Sequence, residues 1–115
     1  MLLSLCSGLF AAAQRTHLLF QTQYGHFKVM LYDFTPQHKA MILEQINKET
    51  YKNALFNRIV AGFVVQGGVL DDEILDYEKQ TGISQGRLAP EMDERAFHKI
   101  GALGAGRDDN PQKAS

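Results

Sequence analysis

Hydrophobic and polar positions change rhythm along the chain, and each change marks an element. Residues 1–13, MLLSLCSGLFAAA, are apolar almost throughout and end in small residues. From Thr16 the apolar runs shorten. Thr16–Thr22 reads THLLFQT, and residues 26–34 then set Phe27, Val29 and Leu31 against Lys28, Met30 and Tyr32. A period of two is the mark of a half-buried strand, so these runs predict a hairpin with one buried face, turning at Gln23-Tyr24-Gly25. Thr35-Pro36 changes the period: Thr35 suits the N-cap and Pro36 the first helical position. The helix should run to about Lys48 or Glu49, with Ile42, Ile46 and Leu43 inward and Lys39, Glu44, Gln45 and Lys48 in water. Two short apolar runs follow, residues 56–60 and 63–66, joined by Ala61-Gly62 and closed by Gly67-Gly68. On a regular strand Phe56, Arg58 and Val60 share one face. Arg58 thus stands among aromatic and β-branched neighbours, where a charge needs a partner or a task.

Beyond that hairpin the pattern loosens. Residues 69–86 hold Asp71, Asp72, Glu73, Asp76 and Glu78 with Ile74, Leu75 and Tyr77 between them. This stretch fits a short helix or a long surface loop. Its acids read as a solvated face rather than a catalytic carboxylate pair. Residues 88–97 form an extended approach bent at Pro90, residues 100–106 a strand-like run, and residues 107–113 a polar loop.

Composition narrows the class. With 115 residues and 44% hydrophobic content the chain is one globular domain at most. Twelve basic and thirteen acidic residues leave a net charge of −1, which gives no electrostatic footprint for nucleic acid or an anionic membrane. The single cysteine, Cys6, allows no intramolecular disulfide, and His17, His26, His38 and His98 lack metal-ligand spacing. Residues 1–13 resemble the apolar core of a secretory signal, with Ala11-Ala12-Ala13 as cleavage site, although no Lys or Arg precedes Arg15. Export to the periplasm follows from that reading. A buried N-terminal segment in a cytoplasmic protein is the alternative. Lipidation at Cys6 is a third, opposed by Leu5 in the place of a small residue. Residues 14–115 are then the domain proper.

Residues 56–68, FNRIVAGFVVQGG, closely resemble the motif of the cyclophilin-type peptidyl-prolyl cis-trans isomerases, F-H-R-x-I-x-G-F-M-x-Q-G-G-D. Phe56, Arg58, Gly62, Phe63, Gln66, Gly67 and Gly68 fall at the family's positions in one ungapped run. Asn57 stands for the family's His, Ala61 for a frequent Pro, Val64 for a common Met and Val69 for the final Asp. The element order before the motif is also the family's: two strands, a helix, a connector. The resemblance implies a mainly β fold with α, a closed eight-stranded antiparallel barrel of which this chain holds the first five strands and first helix. It aligns residues 100–106 with a strand that walls the proline pocket, and places Gly106 and Arg107 along the bound peptide. The family's next segment, G-S-Q-F, and the later strands and second helix would follow Ser115. A chain with only the earlier elements is expected to be poorly stable and to have little activity alone.

The chemistry such a site performs needs no cofactor and no metal. An ordinary peptide bond resists rotation by about 18–20 kcal/mol because rotation breaks amide resonance, and prolyl isomerisation is slow without a catalyst. The catalyst has to favour the twisted amide over both planar forms. Twisting returns the lone pair to the prolyl nitrogen, and a fixed guanidinium aimed there stabilises the transition state more than the ground state. Arg58 has the always-charged, directional donors this demands. A thousandfold acceleration needs only about 4 kcal/mol. Phe63 and Val64 would form the apolar slot for the ring, and Gln66 would hold the substrate backbone and steady Arg58. Gly67 and Gly68 would serve structurally, as places of close backbone approach. Taken singly, each residue has a plainer reading: Phe63 and Val64 as core, Arg58 as half of an ion pair with the acids of residues 69–78, the glycines as a turn. The partners implied are proline-containing peptides or unfolded chains, met by a monomer. A non-catalytic proline-peptide-binding or chaperone-like module is the alternative function, and a fragment without function of its own is the third.

Overall fold

The computed structural model describes residues 15–68, 71–83 and 88–106. The signal reading of residues 1–13, Cys6 and Arg107 lie outside them. The elements run β1 (Thr16–Thr22), β2 (Gly25–Leu31), α1 (Pro36–Asn47), β3 (Phe56–Val60), β4 (Val64–Gly67) and α2 (Asp71–Thr81). The chain divides between Tyr32 and Asp33 into two compact units. Among the described residues the strands form two separate two-stranded antiparallel sheets, β1–β2 and β3–β4.

The first unit is the expected hairpin. Thr16 pairs with Leu31 and Thr22 with Gly25, so Leu18 lies across from Val29 and Phe20 across from Phe27. These pairs make the apolar face. Leu18 is buried, at 8% exposure, and the rings of Phe20 and Phe27 stack with centroids 4.7 Å apart. Stacked cross-strand aromatics contribute roughly 0.5–1.5 kcal/mol beyond their burial. Thr22 closes the turn: its hydroxyl donates to the Gly25 carbonyl and accepts from the Tyr24 N–H. The unusual backbone falls on Gly25 (φ 132°), where a side chain would be strained. β2 stops at Leu31, short of the Phe34 the alternation suggests, because its ladder with β1 ends at Thr16.

In the second unit, α1 is built as expected at its start but capped from elsewhere. Pro36 brings no N–H, and the first backbone bond runs from Lys39 to the Thr35 carbonyl. The side chain of Thr35 does not supply the cap. Glu91 does, from more than fifty residues along the chain. Its carboxylate accepts from the Gln37 N–H (3.0 Å) and the His38 N–H (2.9 Å), and meets His38 Nδ1 at 2.8 Å. Two donors that a helix start leaves unsatisfied are thereby used by one charged side chain, which also suits the positive end of the helix dipole. Nearby, the Arg95 guanidinium lies 4.1 Å from the Phe34 ring centroid. Two bonds from that guanidinium reach the Asp93 carboxylate, at 2.7 and 2.6 Å. Segment 91–95 is therefore strapped to the entry of α1.

The helix closes just past Asn47 in a compact motif. Glu49 adopts a left-handed conformation (φ 57°), its N–H bonds the Ile46 carbonyl, and the Thr50 N–H bonds the Gln45 carbonyl. This is the pairing that closes a helix with a left-handed residue, a place usually held by glycine. The Thr50 hydroxyl adds a 2.7 Å bond to the Gln45 side chain, which explains why Gln45 is half-buried rather than in water. Lys39 is likewise half-buried, held by Asp33 at 2.6 Å. Ile46, expected inward, is 41% exposed. Residues 71–81 settle as helix α2, closed by Gly82 (φ 69°), whose N–H reaches the Glu78 carbonyl. Residues 100–106 are not a strand: the Ala102 N–H closes a turn on Lys99. Ile100 and Leu103 are exposed there, and an extended run needs a neighbouring ladder to count as one.

Two outcomes follow from the helix ends. Glu49→Gly should raise the urea midpoint, by about 0.5–1 kcal/mol of stability, because glycine relieves the left-handed strain while only an exposed pair with Lys52 is lost. Partial desolvation pushes the Glu91 carboxyl up, but the His38 and Gln37 bonds outweigh it and its pKa lies below the usual 4.5. The cap is then fully present above that ordinary value and is lost as the pH falls through the folded one. In an NMR titration the Gln37 and His38 amide protons should move together with an apparent pKa below 4.5. Glu91→Gln should abolish that step.

Candidate functional site

The hairpin β3–β4 is made by its glycines. Val60 and Phe63 bracket a turn closed by the Phe63 N–H on the Val60 carbonyl at 3.1 Å, with Gly62 in the left-handed region (φ 71°). Such a turn requires a positive φ at its third position, where glycine carries no penalty. Beyond it the register is Val60 with Val64, Ile59 with Val65, and Arg58 with Gln66. The next pair is Phe56 with Gly67, so two steps on β3 match one on β4. Asn57 is the extra residue of a β-bulge.

This bulge corrects the expected alternation. Gly67 and Gln66 are neighbours on one strand and face opposite ways, so Phe56 lies across from Gly67 on the face opposite Arg58. The geometry around Gly67 agrees. A β-carbon there would come within 2.9 Å of Phe56 Cδ1 and 2.8 Å of the Leu55 carbonyl oxygen. Phe56 occupies the space that a side chain at 67 would need. Arg58 and Val60, with Gln66 and Val64 opposite, share one face; Ile59 and Val65 share the other. Asn57 was the available signal, as a poor strand former between Phe56 and Arg58.

On the first face, Arg58 Nη1 donates to Gln66 Oε1 at 3.4 Å, and the guanidinium carbon stands 5.9 Å from the Phe63 ring centroid. Both distances are near the outer limit for their kind. Each contact orients Arg58 without saturating it, since a guanidinium has five N–H donors. No described carboxylate pairs with Arg58, so the ion-pair reading with residues 69–78 finds no support among the described residues. Phe63 is 76% exposed, while Val64 and Gln66 are half-buried. A charged donor fork, an accessible aromatic face and an amide thus converge on one surface, and Val64 adjoins them. That arrangement can receive a small apolar ring while presenting donors to its edge. Gly68 (φ 120°) turns the chain out of β4. Gly106 stands in exposed coil, and no hydrogen bond or ring contact among the described residues joins it to this cluster.

The chain matches the family described as cyclophilin type peptidyl-prolyl cis-trans isomerase/CLD over residues 17–115. It is similar to the peptidyl-prolyl cis-trans isomerase A of Dickeya dadantii (strain 3937), 35% identical over 60 residues, which is 51% of this chain and 32% of that protein. The match spans about a third of that curated relative's length. No solved structure matches the chain.

Gly67→Ala should expel Phe56 from its place and destabilise the hairpin by about 1–3 kcal/mol, the usual range for overpacking. Amide exchange of residues 58–66 is the direct measure, and it should accelerate.

Proposed function

The chain belongs to the cyclophilin-type peptidyl-prolyl cis-trans isomerases, and on that footing we propose that its β3–β4 surface binds proline-containing segments of protein chains and catalyses rotation about the X–Pro bond. One observation carries the proposal: Arg58 lies directly across from Gln66 and over the side of an exposed Phe63, on a single hairpin face. The proline ring rests on Phe63, beside Val64. Gln66 bonds the substrate backbone and the guanidinium. Arg58 donates to the prolyl nitrogen as it pyramidalises, a bond available only when the amide is twisted. No nucleophile is used, because no covalent bond is formed or broken.

The remaining pocket wall is assigned to residues outside this hairpin, with Gly106 and Arg107 along the peptide. We read the two hairpins as portions of an eight-stranded antiparallel barrel. The open apolar face of β3–β4 supports this, with Ile59 70% and Val65 60% exposed, because a two-stranded sheet is marginal by itself. The protein acts as a monomer exported by the segment at residues 1–13, whose apolar run closing on three alanines supports that route.

The test is NMR magnetisation exchange on a proline peptide, which reads cis–trans interconversion directly. Arg58→Ala should slow catalysed exchange by about 10²–10³-fold, the cost of removing one preorganised donor. Peptide-induced shifts at Phe63 should persist. Unchanged exchange with retained binding would instead identify a non-catalytic proline-binding module.

A further inference from the structure

The register places one more side chain on the Arg58 face. Val60 is paired directly with Val64, and directly opposed β-carbons lie about 4.5–5.5 Å apart. The two valines therefore form a continuous apolar strip. It runs parallel to the polar row of Arg58 and Gln66, two residues nearer the turn on each strand. Val60 is 39% exposed, so the strip is open to a ligand. Its backbone is fixed as well: the Val60 carbonyl accepts the Phe63 N–H that closes the turn. Val60 is thereby tied to the residue on which the ring rests.

We propose that Val60 is a specificity-determining residue, which with Val64 receives an apolar side chain of the substrate close to the proline. The inference rests on the proline-peptide reading of this face. Arg58 and Val60 are about 6.6–6.8 Å apart along the strand, and an extended peptide advances about the same distance in two residues. A segment whose X–Pro bond is presented to Arg58 thus carries the side chain two positions away over the valine strip. Leucine there buries apolar surface against both valines; serine leaves the strip wet.

The experiment compares proline peptides that differ only in having Leu or Ser two positions before or two positions after the proline. Each is titrated into the full chain, with methyl resonances as readout. The Leu peptide that reaches the strip should shift the Val60 methyls and bind more tightly than its Ser counterpart. Val60→Thr keeps the β-branched shape and the strand. It should lower affinity for that Leu peptide by about three- to tenfold, the lower end of what a methyl-sized difference discriminates, and leave the Ser peptide within about twofold. A Leu-to-Ser affinity ratio unchanged in Val60→Thr would overturn the proposal. If Arg58→Ala slows exchange while that ratio stays fixed, the Val60 inference alone fails. If no peptide shifts either Phe63 or Val60, the inference and the reading beneath it fall together.

Discussion

At Gly67 the backbone leaves a space that a β-carbon would fill, and Phe56 occupies it. That packing decides which face of the hairpin Phe56 takes, and so keeps its ring off the face of Arg58. With Phe56 opposite Gly67, β3 carries one residue more than β4 between this pair and the next, and Asn57 bulges. The bulge separates two side chains that ordinary alternation would put together. Phe56 goes to the face of Ile59 and Val65, and Arg58 to the face of Gln66. A one-residue change of register inverts every side chain beyond it. A shift at this point would therefore turn Phe56 onto the Arg58 face, beside the residues that the turn at 61–63 keeps in register with Gln66 and Val64. Glycine at 67 is a packing requirement with a functional consequence.

A second constraint acts at a distance in sequence. Glu91 satisfies the N–H groups of Gln37 and His38, while Arg95 lies over Phe34 and is held by Asp93. The Arg95 bonds, with lesser desolvation against them, hold the Asp93 carboxyl down to about 2. These contacts bind residues 91–95 to the start of α1. The same segment leads into residues 100–106, which lie exposed and outside any ladder.

Much of this was legible in the residues. Period-two alternation located β1 and β2, Thr35-Pro36 located the start of α1, and the glycines located the β3–β4 turn. The family was legible because seven residues of one motif lay in a single run. What was not legible depends on tertiary contact. The cap of α1 comes from Glu91, and no local pattern around Thr35 points to a residue so far away. Glu49 and Asn53 take left-handed conformations that propensity assigns to glycine. The bulge requires knowing what packs at Gly67, and periodicity alone puts Phe56 on the wrong face. Residues 100–106 read as a strand by composition, but composition does not provide a ladder partner.

The surface assembled here brings together donors from Arg58, the ring of Phe63, the amide of Gln66 and a valine strip beside them, and we propose it as one side of a proline site. Its central requirement is the register that brings Arg58 and Gln66 to one face. Cross-strand NOEs in a uniformly labelled sample test this most directly. The account predicts backbone NOEs pairing Arg58 with Gln66, together with contacts from the Phe56 ring to the Gly67 α-protons. An NOE pattern pairing Asn57 with Gln66, or the Phe56 ring lying against the Arg58 side chain, would contradict it.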